Sequence, residues 1–353
     1  MTAWNPQRTL ALLGREENRL DLSAVSPRLN GRRILVTGAG GSIGSSLCDR
    51  LLQEDILELI AVDHSEAGLY ELSQRFGTSH RNRLTLRLAD CCDPSAWLPS
   101  QANEPCDLII HAAAHKHVPL LEANARTAFL NNVGAALAMA RAVERLMPAE
   151  ALFVSSDKAV DPTAIMGQTK RLAERLLQGA AESGASGTSW KTIRLANVLG
   201  SSGSVLPRFE RALAADEALT LHGEDSTRFF ISPREAVDAI LAALVVGKSG
   251  DLVAADPGPA IEIRQLATKL AQEQGYQPSR LRFELAALRP GDRRFERLWH
   301  ANEARLVPAL SPLLLRSPGP GAAFSLARVE EALEQVRQGD DADAARILRD
   351  MLS

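Results

Sequence analysis

Short apolar runs and segments with helical spacing alternate along the chain from about residue 31. In the segment 42–53, for example, Ile43 and Leu47 repeat at a spacing of four and predict an amphipathic helix. Six apolar runs predict buried strands, at residues 33–37, 56–63, 84–88, 107–111, 151–155 and 191–195. Buried strands separated by helical segments of this length favour parallel βαβ units. The sequence therefore predicts an α/β fold with a doubly wound parallel sheet.

Composition narrows the classes of protein to which this chain can belong. It has 353 residues, of which 45% are hydrophobic and 24% charged, with a formal net charge of −3. The high apolar fraction excludes a disordered chain, and the near-neutral charge and 4% aromatic content argue against a nucleic-acid partner. No run of about 18 apolar residues occurs, so we predict no integral membrane segment. The four cysteines form no C-x-x-C pair, which favours a reducing, cytoplasmic location.

A glycine cluster lies between the first predicted strand and the first predicted helix. Gly38 allows a tight turn, Gly41 lets backbone amides approach a pyrophosphate, and Gly44 allows close packing of the helix. Asp63, at the end of the second strand, is spaced to bind the ribose hydroxyls of an adenine dinucleotide. The three residues after Asp63 include no arginine that could bind a 2′-phosphate, so NAD is favoured over NADP. The other residues assigned to the cofactor are Ser42, Ile43, Asp90, Ala112, Ala113 and, as described below, Lys170.

The regular pattern weakens after Asn197, where glycine, serine and proline become frequent. We interpret this part as a smaller lobe that is interwoven with later strands of the sheet. The predicted division is an N-terminal segment at 1–30, an NAD-binding Rossmann domain at 31–200 with later strands from about 226–256, a substrate-binding lobe at 201–310, and a Pro/Gly-rich linker with two C-terminal helices at 311–353.

The helix predicted after the fifth strand carries Lys170, but Met166 stands four residues before it. Short-chain dehydrogenases usually carry Tyr-x-x-x-Lys on this helix, where the lysine binds the nicotinamide ribose and lowers the pKa of the tyrosine. A thioether cannot take up a proton, and neither of the two tyrosines in the chain has a lysine four residues later. Two interpretations follow. Either the chain binds a dinucleotide without catalysis, or Asp157 and Lys158 at the end of the fifth strand take over proton transfer.

Several segments resemble the polysaccharide-biosynthesis branch of the extended short-chain dehydrogenases, the UDP-N-acetylglucosamine 4,6-dehydratases. The resemblance spans about residues 12–300, and its motifs are long and specific. It implies an active enzyme, because the large membrane-bound members also have methionine in place of the tyrosine. It further implies the catalytic part of such a member without its membrane domain. The segments are GAGGSIGS (38–45), HAAAHKHVPL (111–120), SDKAV (156–160), MGQTK (166–170), NVLGSSGSV (197–205), TRFF (227–230) and RPGD (289–292).

The resemblance implies dehydration of a nucleotide-linked hexosamine with a retained NAD. A hydride leaves sugar C4, water is lost from C5 and C6, and the hydride returns to C6. We assign Asp157 as the acid at O6, Lys158 as the base at C5, and Ser156 as a hydrogen-bond partner of O4. Lys170 would bind the nicotinamide ribose and accept the O4 proton, and Met166 occupies the position of the usual tyrosine beside it. A lysine base must be partly neutral, so we expect the pKa of Lys158 to be depressed by burial or by nearby positive charge such as that of NAD⁺.

Arginines in the later motifs suit a substrate diphosphate, because a planar guanidinium binds phosphate oxygens in pairs. Their alternative interpretation is that they are solvated arginines on the surface. The residues assigned to the substrate are Arg228, Arg289, Arg293, Asn197, Val205 and Lys116.

Three histidines near the end of the fourth strand could be mistaken for metal ligands. His111 and His115 have the i, i+4 spacing found in some zinc sites, and His117 follows. No acidic or thiolate residue with suitable spacing lies nearby, so we predict no metal site.

The predicted function is NAD-dependent dehydration of a UDP-sugar, most simply UDP-N-acetylglucosamine to its 4-keto-6-deoxy product, for the biosynthesis of surface glycans. An NAD-dependent nucleotide-sugar epimerase is an alternative that shares the 4-keto step but loses no water. A catalytically silent dinucleotide-binding regulator is the other alternative. A homo-oligomer is also predicted, because the alanine-rich helix at 123–146 offers a close-packing face; burial of that face in the core is the alternative.

Overall fold

The computed structural model describes residues 6–76, 80, 82–98, 105–301, 303, 314–317 and 324–353. The strands are β1 (Arg33–Thr37), β2 (Glu58–Asp63), β3 (Leu84–Leu88), β4 (Leu108–His111), β5 (Glu150–Ser156), β6 (Ser189–Leu195), β7 (Asn197–Val198), β8 (Leu219–His222), β9 (Thr227–Arg228), β10 (Phe230–Ile231), β11 (Asp251–Ala255), β12 (Ile261–Glu262), β13 (Phe283–Ala286) and β14 (Leu314–Ser317). The α-helices are α1 (Pro6–Leu13), α2 (Ser26–Leu29), α3 (Ser42–Leu51), α4 (Glu66–Phe76), α5 (Pro94–Trp97), α6 (Val118–Glu122), α7 (Ala125–Ala128), α8 (Gly134–Leu146), α9 (Ile165–Ser183), α10 (Val205–Ala214), α11 (Pro233–Val246), α12 (Ile263–Glu273), α13 (Leu326–Gln338) and α14 (Asp341–Leu352). In the described ranges, no helix has both the length and the apolar character needed to cross a membrane.

Eight strands form the central sheet, in the order β14-β11-β6-β5-β4-β1-β2-β3. Seven of them run parallel, and β14 pairs antiparallel with β11 at one edge. All six strands predicted from the apolar runs lie in this sheet, with shifts of one or two residues at some ends. The predicted doubly wound Rossmann fold is therefore confirmed.

The strand β14 lies in the segment that the sequence predicts as a Pro/Gly-rich linker. Its backbone pairs with β11, with Ser317 opposite Leu252 and Leu314 opposite Ala255. The linker prediction is wrong for these four residues, and the rest of the predicted linker lies outside the described residues. The two predicted C-terminal helices follow as α13 and α14.

Side chains on the parallel strands alternate between two apolar cores, one on each face of the sheet. On β1, Ile34 and Val36 face the core formed with α3 and α11, whereas Leu35 faces the core formed with α8, α9, α13 and α14. Strands buried on both faces have nearly continuous apolar sequences, which explains why the pattern located them. A third, smaller core around Leu206 and Leu266 lies in the region predicted as the substrate-binding lobe.

The helix predicted at 123–146 is interrupted by a π-helical turn, Phe129–Val133, between α7 and α8. Asn132 in this turn points inward, and its Nδ2 donates to His115 O at 3.1 Å and to Thr169 Oγ1 at 2.9 Å. The apolar face of α8 is buried in the core. The face that was proposed for contacts between subunits is thus buried within the chain in α8, as the alternative interpretation expected. A homo-oligomer stays a prediction.

Candidate active site

The carboxyl ends of the parallel strands open into one cleft of about 1250 Å³. Ligands of doubly wound sheets bind at this edge, next to the point where the strand order reverses, which here lies between β1 and β4. Every residue assigned to catalysis, cofactor or substrate from the sequence lines this cleft. The structure thus brings the predicted site residues together, and their individual roles stay predictions.

The glycine loop between β1 and α3 forms one end of the cleft. Gly38 has a φ of +72°, and a Cβ added to it would lie 2.6 Å from Ala113 N. A Cβ on Gly44 would lie 2.0 Å from Gly38 O, so the turn and the start of α3 can approach each other only with glycines. Beside them, Asp63 at the end of β2 accepts a hydrogen bond from Gly40 N at 2.8 Å. A helix start next to an acidic strand end fits the pyrophosphate and ribose of a dinucleotide.

Lys170 is a buried lysine on α9 that borders the same cleft. Its Nζ donates to Val154 O at 2.7 Å and lies 3.9 Å from the ring centroid of Phe153. Burial lowers the pKa of Lys170 to about 7. Near neutral pH, a large fraction of this lysine is therefore an uncharged amine. Met166, one turn earlier on α9, is also buried and lines the cleft beside it.

Asp157 lies in the 3₁₀ turn Asp157–Ala159 that follows β5, and it is only 2% exposed. Because Asp157 is buried, its ion pair with Lys158 is not an ordinary pair on the protein surface. Asp157 Oδ1 accepts hydrogen bonds from Ser156 Oγ at 2.9 Å and from Lys158 Nζ at 3.1 Å. Burial, together with the nearby Glu296 carboxylate, raises the pKa of Asp157 to about 7. Asp157 can therefore hold a proton at neutral pH, and its carboxyl group also shares a side-chain hydrogen bond with Glu296.

Lys158 is surrounded by three hydrogen-bond acceptors. Its Nζ lies 3.1 Å from Asp157 Oδ1, 2.9 Å from Asn197 Oδ1 and 2.9 Å from Glu296 Oε1. Burial favours the neutral amine, but the carboxylates of Asp157 and Glu296 outweigh it and hold the pKa of Lys158 above its ordinary value. The depressed pKa expected for Lys158 is therefore wrong for this arrangement, because two carboxylates share one ammonium. The lysine with the depressed pKa is Lys170.

Arginines dominate the opposite end of the cleft. Arg289 Nε donates to Asp292 Oδ2 at 2.7 Å, and Arg293 Nη1 donates to Val160 O at 2.8 Å. Since guanidinium groups outnumber carboxylates among the residues that line this end, it favours an anionic ligand such as a diphosphate. The arginines that line it are Arg208, Arg228, Arg289 and Arg293.

The remaining predicted residues lie between these two ends. Lys116 follows β4, and burial lowers its pKa. Asn197 begins β7, and Val205 is the first residue of α10. On the cofactor side, Ser42 and Ile43 begin α3, Asp90 follows β3, and Ala112 and Ala113 follow β4.

The charged residues that line the cleft and were not assigned from the sequence are Glu71, Arg208, Asp292 and Glu296. Burial, followed by the positive charges of Arg289 and Arg211, lowers the pKa of Arg208. Arg208 comes three residues after the NVLGSSGSV motif, and this proximity was an available signal. Glu296 comes four residues after the RPGD motif, but nothing in the local pattern distinguishes it from other glutamates.

The histidines at and after the end of β4 contact other side chains of the protein. Within the described ranges, no group of three or more His, Cys, Asp or Glu side chains could hold a metal ion. His111 is buried, with Nδ1 2.6 Å from Thr37 Oγ1 and its ring stacked on Phe153 at 5.7 Å. Burial, with a further effect of the positive charge of Lys170, lowers the pKa of His111 to about 3. His111 is therefore a neutral residue in the wall beneath the cleft.

Residues 34–312 match the family of proteins described as polysaccharide biosynthesis protein. The chain belongs to this family. The resemblance inferred from the sequence motifs is thereby confirmed. The capsular polysaccharide biosynthesis protein CapD of Staphylococcus aureus is 34% identical over 294 residues, which are 83% of this chain and 49% of CapD. The chain thus spans about half the length of this relative.

Two further curated relatives bear names that specify a reaction. The UDP-N-acetylglucosamine 4,6-dehydratase (inverting) of Campylobacter jejuni is 27% identical over 318 residues, with 88% of this chain and 91% of that protein covered. A UDP-glucose 4-epimerase of Rickettsia bellii is 29% identical over 278 residues, with 77% and 79% covered. Among solved structures, Pen from Bacillus thuringiensis has a TM-score of 0.74 at 26% identity, with 84% of this chain and 92% of Pen covered. The relatives of this chain thus include proteins named as a nucleotide-sugar dehydratase and as an epimerase.

Proposed function

We propose that this protein catalyses the NAD-dependent dehydration of a UDP-linked N-acetylhexosamine, most simply UDP-N-acetylglucosamine, to a 4-keto-6-deoxy sugar for polysaccharide biosynthesis. The observation that carries this proposal is the pair formed by the buried Asp157 and the partly exposed Lys158, which borders the cleft between a glycine loop and a group of arginines. The name of the Campylobacter jejuni relative supports the same reaction.

The residues at the glycine-loop end fit NAD. The start of α3 offers backbone N–H groups to the pyrophosphate, and Asp63 is placed to accept ribose hydroxyls. Lys170 is assigned to the nicotinamide ribose. When bound, NAD supplies the redox chemistry by accepting a hydride from sugar C4 and returning it to C6.

The side chains of the cleft then divide the proton transfers between them. Lys170 is suited to receive the O4 proton, because its buried amine is largely neutral above a pKa of about 7. Ser156 is assigned to hydrogen-bond O4. Asp157 is suited to protonate O6 as water leaves, since its pKa of about 7 keeps a proton available and it borders the cleft. The proton that Lys170 takes up balances the one that Asp157 gives away.

Lys158 is our candidate for the base that removes the C5 proton and, as the hydride reaches C6, returns a proton to C5. Its ammonium is now stabilised by the carboxylates of Asp157 and Glu296. When Asp157 is protonated, one of these two negative charges is gone, which lowers the pKa of Lys158 from its raised value. The acid and the base are thus coupled through the hydrogen bond between Lys158 and Asp157.

Incubation of the purified, NAD-loaded protein with UDP-N-acetylglucosamine tests the proposal. We expect mass spectrometry to show the loss of one water and proton NMR to show a 4-keto-6-deoxy sugar. Asp157→Asn should slow the reaction by about 100-fold or more, whereas Asp350→Asn, at an exposed position on α14, should not. In deuterated water, Lys158→Ala should lose the incorporation of deuterium at C5. Turnover of the wild-type protein without loss of water would contradict a dehydratase.

An epimerase is the second candidate, and the name of the Rickettsia bellii relative favours it. Epimerisation shares the oxidation at C4 but needs no acid at O6. A product of unchanged mass with a new sugar signal would support this reaction. In that case Asp157→Asn should retain most of the activity.

A further inference from the structure

Glu296 is a buried carboxylate to which the proposed function assigns no task. Its side chain is 6% exposed and borders the cleft. Glu296 Oε1 lies 2.9 Å from Lys158 Nζ and 3.3 Å from Arg228 Nε, and Oε2 accepts a hydrogen bond from Asn197 Nδ2 at 2.7 Å. These partners belong to the 3₁₀ turn after β5, to β9 and to β7. Glu296, in the segment after β13, therefore joins the arginine-rich end of the cleft to the catalytic turn.

The charges around the two carboxyl groups are unequal. Glu296 interacts with two cations, Lys158 and Arg228, and its charge also reaches Arg293 of its own segment. Asp157 has one cation, Lys158, and the carboxylate of Glu296 as a second negative charge. One ammonium cannot neutralise two buried carboxylates, so a proton is retained on one of them. Because Glu296 has the additional guanidinium, Asp157 is the group that keeps it.

We propose that Glu296 is a positioning residue that keeps Asp157 protonated for acid catalysis. It does so because its own carboxylate forms the ion pairs with Lys158 and Arg228 and adds a negative charge beside Asp157. This inference rests on the proposed function, in which Asp157 protonates O6. The pKa directions agree with it: burial opposes ionisation of Glu296, but Lys158 and Arg228 outweigh it and lower its pKa, whereas the pKa of Asp157 is raised. Neighbouring carboxyl groups whose surroundings separate their proton affinities commonly divide an acid role from an anionic one.

Glu296→Gln preserves the size of the side chain and removes its charge, so it isolates this effect. In the wild-type protein we expect kcat/KM to rise at low pH as Lys170 loses its proton and to fall at higher pH as Asp157 loses its own, since both pKa values are about 7. In Glu296→Gln the fall should occur at a pH lower by about one unit or more, because the second negative charge is gone. KM should change less than kcat. Glu273→Gln removes a glutamate that pairs with Arg8 outside the cleft, and it should leave the pH profile unchanged.

A titration without turnover separates this inference from the proposed function. In protein labelled with ¹³C at the aspartate carboxyl groups, the Asp157 signal should have a midpoint near 7 and disappear in Asp157→Asn. The midpoint should fall in Glu296→Gln and fall less in Glu296→Asp, which keeps the charge at a shorter reach. Should Glu296→Gln fail to fold by circular dichroism, the smaller shift in Glu296→Asp decides. An unmoved midpoint in a folded variant would overturn the inference, whereas a shifted midpoint supports it even where no sugar nucleotide is turned over.

Discussion

Lysine is scarce in this chain, and three of its six lysines line the cleft. Their surroundings hold two of them in opposite charge states. Burial lowers the pKa of Lys170 to about 7, whereas for Lys158 the carboxylates outweigh burial and raise the pKa. The sequence motifs located both lysines but led to the wrong expectation for Lys158. The deciding partner, Glu296, is distant in the chain and approaches only in the folded structure.

Lys170 should titrate near neutral pH. Because the chain has only six lysines, ¹³C labelling of lysine side chains should give NMR signals that can be resolved singly. We expect one signal with a midpoint near 7 that is lost in Lys170→Arg. Lys269→Arg, outside the cleft, should leave this signal in place. A midpoint near 10 for Lys170 would contradict the effect of burial.

The same titration makes stability depend on pH. The unfolded chain holds the Lys170 proton up to about pH 10, whereas the folded chain releases it at about pH 7. Between these values the unfolded state binds more protons, so the free energy of unfolding should rise with pH across the window. Urea unfolding should show a steeper rise for the wild-type protein than for Lys170→Met. Equal slopes would mean that Lys170 has the same pKa in both states.

At the scale of the secondary-structure elements, α9 brings Lys170 close to the catalytic turn. A Cβ on Gly167 would lie 2.1 Å from Lys158 O, so only glycine permits this approach. At the start of the helix, the carboxylate of Glu122 accepts a hydrogen bond from Ile165 N at 2.6 Å. The glycine and this remote cap together hold α9 against the end of β5.

Gly167→Ala should force α9 away from the catalytic turn. We expect the free energy of unfolding to fall by about 1–3 kcal/mol through overpacking, and kcat to fall by about tenfold or more because Lys170 is displaced. Gly134→Ala is a matched helix substitution, since its Cβ would lie 3.5 Å from the nearest atom, Cys92 Sγ. It should be neutral or stabilise by up to about 1 kcal/mol. Chemical unfolding and turnover assays of both variants check this, and equal effects would exclude the close approach as the cause.

The sequence predicted the central strands of the sheet but not the π-helical turn or the edge strand β14. The six central strands were located because burial on both faces leaves nearly continuous apolar runs. The π-helical turn was missed because the contacts of its inward amide, Asn132, with His115 and Thr169 come from other parts of the fold. The edge strand β14 was missed because its pairing with β11 is long-range and its segment is rich in proline and glycine.

At the scale of the whole molecule, the cleft depends on contacts that join distant segments. Arg194 on β6 is fully buried, and its Nη2 donates to Glu174 Oε2 on α9 at 2.8 Å. Its Nη1 donates to Glu303 Oε2, also at 2.8 Å, in the segment after β13. The motifs predicted residues that line the cleft partly because several of them, such as GAGGSIGS after β1 and SDKAV at the end of β5, lie where a parallel strand ends. They could not predict Glu296 or this buried network, whose members become neighbours only through the tertiary fold.

The C-terminal helices complete one of the two cores. Helix α13 packs on α8 and α9, and α14 packs on α7 and α9. Leu348 on α14 is fully buried in this core, so Leu348→Ala should lower the free energy of unfolding by about 3 kcal/mol. Leu10→Ala, at a position that is 49% exposed, should have little effect. Urea unfolding measures both changes.

Turnover of the same two variants shows whether the helices only stabilise the fold. Leu348 lies outside the cleft, so kcat of Leu348→Ala should remain close to the wild-type value wherever the variant is folded. A fall in kcat larger than the unfolded fraction explains would contradict this expectation. It would mean that packing of α14 against α9 also determines the position of Lys170, since α9 carries that lysine to the cleft.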